Sequence, residues 1–240
     1  ERTAADAPAE TALASDLEDL LTAVGERWNQ PCLPGALSWC EPERLTSFVH
    51  LQIPPINLVG PECTEIGMNC LGDTQDTAYQ AALRLWLDNG QVYAVAGPLA
   101  TETGNATYVG LGLNSNLKKK GFENISDDAL AGSALAYSST VSNTEKFFLY
   151  YFARDCTGLE DLTGGNCISI PTTGEKGLPF CANRADPTCE LLQLSRRDYI
   201  RPGTQRGPDA ARLLLPVALT LQRPDFAANT IRLPVVFGGD

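Results

Sequence analysis

Histidine and methionine are almost missing from this sequence of 240 residues, and the C-x-x-C pairs typical of metal sites are absent from it. The only histidine is His50, and no two cysteines form a C-x-x-C pair. Structural zinc sites are built from such pairs or from several histidines, so the sequence disfavours a zinc site. It also contains no P-loop, dinucleotide fingerprint, EF-hand loop or haem attachment motif. We therefore expect neither a metal nor another cofactor.

The sequence also lacks an apolar run that is long enough to cross a membrane. Its best candidate, residues 213–221, is short and is interrupted by Pro216, whereas a membrane helix needs about 20 apolar residues. The formal net charge is −11, and a general nucleic-acid binder needs a basic surface that displaces counterions. We therefore predict a protein that does not span a membrane and does not bind nucleic acid.

Positive charge is scarce except near the end of the chain. Residues 190–240 carry seven basic and five acidic side chains, although the chain as a whole is acidic. Prolines and glycines between the arginines predict a surface loop over residues 196–208. The arginines would either meet an anionic partner or balance the acidic surface around them; they are Arg196, Arg197, Arg201, Arg206 and Arg212.

Cysteine is the feature that the sequence has in quantity, with eight residues in four close pairs. The spacing predicts disulfides between neighbours, which join Cys32 with Cys40, Cys63 with Cys70, Cys156 with Cys167, and Cys181 with Cys189. Disulfides persist in the periplasm, at the cell surface and in secreted proteins, so we expect an extracytoplasmic location. Because Met68 is the only methionine, Glu1 is not a translation start, and we expect that a signal peptide has been removed.

Two segments give strong periodic signals. Residues 13–28 place Leu17, Leu20, Leu21 and Val24 on one face, which predicts an amphipathic helix. Residues 121–156 read as a helix capped by Ser126, a polar turn, and a strand at residues 147–152. Six large apolar or aromatic residues in a row are typical of a strand that is covered on both faces.

The remaining elements are predicted from weaker patterns. We predict a helix over residues 73–88, an antiparallel hairpin from residues 91–96 and 106–113, and an edge strand over residues 46–53. Further strands are predicted at residues 167–170, 213–222 and 231–237. Together these elements predict an α+β fold with a mainly antiparallel sheet, about three helices and disulfide-stapled loops. Residues 1–12 read as a flexible leader and residues 13–240 as one globular domain.

Candidate catalytic residues are few. Any Ser-His or Cys-His mechanism has to use His50, although a surface or hydrogen-bonded structural histidine is the more common role. Asp155 follows the aromatic strand and adjoins Arg154, so it is a second candidate, with a structural Arg–Asp contact as the alternative.

Candidate binding residues come from the aromatic strand and its surroundings. Gly110 and Gly112 alternate with apolar residues, so one face of their strand is bare, and a bulky group is expected to pack there. This indicates Trp86, Tyr150 and Tyr151 as ligand-binding candidates. The leading hypothesis is a non-enzymatic extracytoplasmic binding protein, or a subunit of a surface or periplasmic assembly, with a protein partner or a small apolar ligand. The alternative is a secreted hydrolase that acts on an extracellular polymer or ester through His50 or a carboxylate pair.

Overall fold

A helix and two five-stranded sheets form three layers in the computed structural model, which describes residues 8–28, 43–45, 48–51, 65, 76–115, 120–181, 183 and 186–225. Sheet A has the strand order β1-β10-β4-β7-β8, and sheet B has the order β2-β3-β9-β5-β6. The strands are β1 (Glu43–Leu45), β2 (Phe48–His50), β3 (Thr77–Leu85), β4 (Gln91–Pro98), β5 (Tyr108–Ser115), β6 (Gly121–Ser126), β7 (Phe147–Ala153), β8 (Cys167–Ser169), β9 (Leu192–Tyr199) and β10 (Val217–Gln222).

Strand pairing is antiparallel throughout the described sheets except between β7 and β8, which are parallel. The described α-helices are α1 (Ala14–Arg27), α2 (Asp127–Leu130) and α3 (Glu160–Thr163). The predicted α+β class with a mainly antiparallel arrangement and three helices is therefore confirmed. None of the described helices combines the length and the apolar character that a membrane span requires.

Helix α1 covers the outer face of sheet A. Its buried residues are Leu17, Leu20, Leu21 and Val24, spaced as the amphipathic pattern predicts. They pack against one face of β4, β7 and β10 and form the first of two large cores. The predicted helix is confirmed, and a 3-10 turn at Glu10–Leu13 precedes it.

Strand β7 contributes to both cores. All of its seven residues are buried. Successive side chains of a strand point to opposite faces, so Phe148, Tyr150 and Phe152 enter the core between the two sheets while Phe147 and Leu149 face α1. The prediction of an aromatic strand covered on both faces is confirmed.

The predicted helix over residues 73–88 is wrong, because Thr77–Leu85 is strand β3. Alanine, leucine and glutamine favour a helix locally. Pairing with β2 on one side and β9 on the other overrides that preference, and the period of two places Ala78, Gln80 and Ala82 on the inner face.

The predicted central helix is also shorter than expected. After α2 the chain turns at Gly132, whose φ of +75° lies outside the right-handed helical region. A separate 3-10 turn, Leu135–Tyr137, follows. The Ser126 side chain makes no capping hydrogen bond, and residues 121–126, which lead into the predicted helix, form strand β6.

Two further predictions about strands are corrected. Strands β4 and β5 do not pair as a hairpin, because β4 lies in sheet A and β5 lies in sheet B. The loop between them has its own hydrogen bonds, including Ala106 N to Ala100 O at 2.9 Å. The predicted surface loop at residues 196–208 begins later than expected, since Arg196–Tyr199 are the end of β9.

Two of the four predicted disulfides are confirmed. Cys156 and Cys167 join the segment after β7 to β8, with Cα atoms 5.9 Å apart. Cys181 and Cys189 close a surface loop, with Cα atoms 5.6 Å apart. The two bonds favour a location outside the reducing cytosol.

The other two predicted disulfides fall on residues that the structure does not describe. Cys32 and Cys40 lie between the described residues 28 and 43, and Cys63 and Cys70 lie between residues 51 and 76, where only residue 65 is described. The pairing of Cys32 with Cys40 and the pairing of Cys63 with Cys70 therefore stay predictions. The strand predicted at residues 231–237 also lies outside the described residues.

Candidate functional site

The two tyrosines among the three aromatic residues predicted to bind a ligand enter different cores. The Tyr150 hydroxyl donates to Ala129 O at 3.1 Å in the core between the sheets. Tyr151 lies in the opposite core, where its ring stacks on Trp28 with centroids 5.6 Å apart. Trp86 follows β3, and its carbonyl oxygen accepts a hydrogen bond from Tyr93. Tyr150 and Tyr151 therefore belong to different cores and do not line one site.

The glycine-bare face of β5 points away from the aromatic strand. Val109, Leu111 and Leu113 face the core between the sheets, so Gly110 and Gly112 face outward from sheet B. A Cβ atom at Gly110 would lie 3.2 Å from Asn124 Oδ1 and 3.3 Å from the Tyr108 ring. These glycines leave room for polar and aromatic side chains to lie close to the outer face of sheet B.

Five side chains form a closed ring of contacts on this outer face, and we call them the tyrosine–arginine ring: Tyr79, Arg197, Asn124, Tyr108 and Tyr199. Arg197 Nη2 donates to Asn124 Oδ1 at 3.1 Å, and Asn124 Nδ2 donates to the Tyr108 hydroxyl at 3.2 Å. The Tyr108 ring meets Tyr199 edge-on, with centroids 5.6 Å apart. Tyr79 completes the ring through hydrogen bonds with Tyr199 and Arg197.

The strand register explains why these residues meet. Tyr79 on β3 is opposite Arg197 on β9, and Arg197 is opposite Gly110 on β5. Tyr199 is opposite Tyr108 in the same way. The ring therefore stands on four neighbouring strands, whose ladder hydrogen bonds hold its members in place. Asn124 is exposed, and the other four side chains are half-buried.

The charge of the ring is not neutralised within it. The described contacts of Arg197 are with Asn124 and Tyr79, which are both neutral side chains. Burial raises the pKa of Tyr79, and the neighbouring Tyr199 adds to the rise while Arg197 opposes it, so the phenol is protonated at pH 7. The ring thus presents one positive charge surrounded by hydroxyl and amide groups, in a chain of net charge −11.

A second polar group lies on the inner face of sheet B. Arg196 and Asp198 are both 0% exposed, and Arg196 Nη2 lies 2.8 Å from Asp198 Oδ1. Glu10, which is 1% exposed, reaches in from the segment before α1, and its Oε2 lies 3.7 Å from Arg196 Nη2. Burial raises the pKa of Asp198 to about 6, although the attraction of Arg196 opposes the shift.

The first two arginines of the predicted basic surface loop therefore lie on opposite faces of β9. Arg196 is buried in the core and pairs with carboxylates, whereas Arg197 is on the opposite face of the same strand. The end of the segment that we predicted as a leader is bound to the loop between β4 and β5. Glu10 Oε1 accepts from Thr103 Oγ1 at 2.8 Å, and Pro8 O accepts from Asn105 Nδ2 at 3.1 Å.

His50 lies at the edge of this inner group, opposite Gln80. Burial, and secondly the charge of Arg196, lower the pKa of His50, against a hydrogen bond with the Leu213 backbone that raises it. The imidazole is therefore neutral at pH 7. Within the described part of the chain, no contact joins His50 to a serine, threonine or cysteine side chain, so the geometry builds no nucleophile–base pair.

The second catalytic candidate is a turn residue. Asp155 is exposed, and its carboxylate accepts from Thr157 N at 2.9 Å, which lowers its pKa. The predicted contact between Arg154 and Asp155 is not formed, because Arg154 instead donates to backbone carbonyl oxygens, including Leu87 O at 2.9 Å. Asp155 follows a strand of sheet A while His50 lies in sheet B, so the two candidates belong to different layers.

Sequence reasoning missed the tyrosine–arginine ring because it assigned Tyr79 to a helix and Arg197 to a loop. A usable signal was present in residues 192–199, where Leu192 and Leu194 alternate with Gln193 and Ser195. That period of two continues through Tyr199 and predicts a strand with Arg197 and Tyr199 on one face.

The described residues contain no group of three or more histidine, cysteine, aspartate or glutamate side chains that is arranged to hold a metal ion. Comparison with known proteins gave no match to a protein-family model, to a characterised protein or to a solved structure.

Proposed function

We propose that this protein is a non-enzymatic binding protein that works outside the cytosol, in the periplasm, at the cell surface or as a secreted protein, and engages a protein partner through the outer face of sheet B. The observation that carries the proposal is the tyrosine–arginine ring. Tyrosine and arginine are among the residues that contribute most of the binding energy in protein interfaces. The two disulfides support the location.

The ring is suited to binding because its side chains are already held in place. Mutual hydrogen bonds and the rigid strands beneath fix their rotamers, so little conformational freedom remains to be lost on association. Tyrosine adds a large contact area with only two side-chain torsions. The ring contains no carboxylate, histidine or thiol, and therefore has no conventional general base or thiol nucleophile.

The partner group that fits the ring is a carboxylate. The planar guanidinium of Arg197 binds a carboxylate through two parallel N–H···O bonds, and the surrounding hydroxyl groups donate further hydrogen bonds. Because the chain carries a net charge of −11, a strongly acidic partner would be repelled. We infer an aspartate or glutamate side chain within an otherwise neutral or basic surface of the partner protein.

The test compares complexes isolated from the protein's own host and examined by native mass spectrometry. Wild type is expected to carry a protein that leaves on denaturation. Arg197→Gln should bind this protein at least tenfold more weakly, since a charge-assisted hydrogen bond contributes roughly 1.5–3 kcal/mol. Arg206→Gln, in an exposed turn, is the matched control and should retain the partner. Equal retention by wild type and Arg197→Gln, or no bound protein in wild type, contradicts the proposal.

The hydrolase alternative predicts a different result from the same preparation. In the version that uses His50, it predicts turnover of an ester or polymer that disappears in His50→Ala. The neutral, half-buried His50 has no nucleophile among its described contacts, so the observations favour binding.

A further inference from the structure

Four polar side chains occupy neighbouring positions on the inner face of sheet B. His50 is opposite Gln80, and Gln80 is opposite Arg196. Asp198 lies two residues further along β9, on the same face as Arg196. Directly opposed side chains in an antiparallel pair have Cβ atoms about 4.5–5.5 Å apart, so these four groups share one part of the core. We call this part the inner polar pocket.

The protein satisfies only some of the polar atoms in this pocket. Arg196 Nε donates to Asp198 Oδ1 at 2.9 Å, and Arg196 Nη1 donates to Leu214 O at 3.3 Å. Arg196 Nη2 lies 2.8 Å from Asp198 Oδ1 without making a hydrogen bond. Four other buried atoms have no hydrogen-bond partner in the protein: Gln80 Nε2, Gln80 Oε1, Asp198 Oδ2 and His50 Nδ1. Gln80 is 0% exposed, so its whole amide is enclosed without a protein partner.

Such a concentration of unmet polar atoms requires an explanation, because the large majority of buried polar side-chain atoms in folded proteins are hydrogen-bonded. The four atoms also lie beside a charged pair, where a low local dielectric makes an unmet group more costly. A single amide turned the wrong way does not account for them, since both atoms of Gln80 lack partners.

The set of atoms defines what the missing partner must be. Gln80 Nε2 is a donor, while Gln80 Oε1 and Asp198 Oδ2 are acceptors. The charges of Asp198 and Glu10 repel an anion, and the described residues here form no group of three histidine, cysteine, aspartate or glutamate side chains arranged to hold a metal ion. An apolar molecule would leave every unmet atom unmet. The partner must be small and neutral, and must both donate and accept hydrogen bonds.

We propose that the inner polar pocket binds internal water that bridges Gln80 to Asp198 and His50. Buried water makes about three hydrogen bonds to groups that the protein leaves unsatisfied, which matches the set of donors and acceptors here. The water links the half-buried His50 at the edge strand to the fully buried Asp198, and gives the carboxylate of Asp198 a solvating partner on its second oxygen.

The first test counts long-lived internal water by oxygen-17 magnetic relaxation dispersion. Gln80→Met is nearly isosteric and removes two of the polar atoms. It should lower the dispersion amplitude by the equivalent of at least one water molecule relative to wild type. Gln193→Met makes the same change on the outer side of β9 and should leave the amplitude unchanged. Equal amplitudes for wild type and Gln80→Met overturn the proposal, and so does an equal loss in the two variants.

The direction of the stability change gives a second, independent readout. If the pocket were dry, Gln80→Met would remove an unsatisfied buried amide and lower the unfolding equilibrium constant by about tenfold or more. With bound water, Gln80 is already satisfied, so the variant should leave that constant unchanged or raise it. Should Gln80→Met fail to fold, a high-resolution crystal structure of wild type decides: water within hydrogen-bond distance of Gln80 and Asp198 Oδ2 supports the proposal, and an ordered pocket without it refutes it.

Discussion

Asp198 should make the stability of this protein depend on pH in the mildly acidic range. The carboxyl group is 0% exposed and shares one guanidinium, that of Arg196, with a second buried carboxylate on Glu10. With two carboxylates and one guanidinium, this cluster of three side chains has an excess negative charge, and its buried surroundings solvate that charge poorly. Burial therefore raises the pKa of Asp198 from 3.8 to about 6, and Glu10 adds to the rise.

The sign and the size of the effect follow from proton linkage. The native state binds the Asp198 proton more tightly than the unfolded chain does, so this contribution to stability is complete below about pH 4. It is lost as the pH rises through the native pKa of about 6. A rise from 3.8 to about 6 corresponds to about 3 kcal/mol of unfolding free energy.

The measurement is urea unfolding at several pH values between about 4 and 7, for wild type and for Asp198→Asn. Asparagine does not titrate, so the difference in unfolding free energy between the two proteins should change by roughly 2–2.5 kcal/mol across this range, with wild type losing stability as the pH rises. Asp128→Asn makes the same chemical change at an exposed position and serves as the control. A difference between wild type and Asp198→Asn that stays constant over the range refutes the reasoning.

Two further predictions concern the core and the disulfides. Replacing Cys156 and Cys167 together by serine should lower the unfolding free energy by up to about 3 kcal/mol in urea, since the bond closes a short loop. Reductant should lower the midpoint of wild type at least as far, because it also breaks the bond between Cys181 and Cys189. An unchanged midpoint in the double variant would contradict this. Leu20→Ala, at a position of 0% exposure in α1, should lower the unfolding free energy by about 2–5 kcal/mol. The control Leu135→Ala, at 49% exposure, should lower it by less than about 0.5 kcal/mol. Similar losses in the two variants would mean that α1 does not pack as described.

Much of the architecture could be predicted because two segments have unambiguous periods. The helix at residues 13–28 repeats its leucines at helical spacing, and the aromatic strand at residues 147–152 has no polar break. Both signals depend only on neighbours in sequence. The pairing of β4 with β7 and of β5 with β9 depends on distant segments, and nothing in residues 91–113 themselves distinguishes that arrangement from a hairpin.

Strand β3 resembles a helix in its sequence for a related reason. Its residues, TAYQAALRL, include many with high helix propensity, and its tyrosine and leucines also fit a helical stripe. The strand is stabilised by partners on both sides, and its inner face is lined by small alanines and Gln80. Small and polar residues on a buried face give a weak hydrophobic alternation, so the period of two is not visible in the sequence.

The candidate site could not be predicted because its four strands come from three parts of the chain that are far apart in sequence: β3, the consecutive pair β5 and β6, and β9. Tyr79 and Tyr199 are separated by 120 positions, and only the register of β3 with β9 brings them together. The sole histidine and the aromatic strand drew attention because they are conspicuous in composition. Tyr150 and Tyr151 are both buried, and their rings lie in the two cores on either side of sheet A.

The adjacent arginines of β9 show how the inner face of sheet B determines its outer face. Arg196 and Arg197 have the same side chain, yet one is buried against Asp198 and the other is in the tyrosine–arginine ring. A shift of one residue in the register of β9 would exchange their faces. It would place the core residues Leu192, Leu194 and Asp198 outside and bring Gln193, Ser195, Arg197 and Tyr199 into the core. Exposing two leucines and burying polar side chains in their place is costly, so the alternation of residues 192–199 opposes this slip. The same alternation holds Arg197 and Tyr199 on the outer face of sheet B.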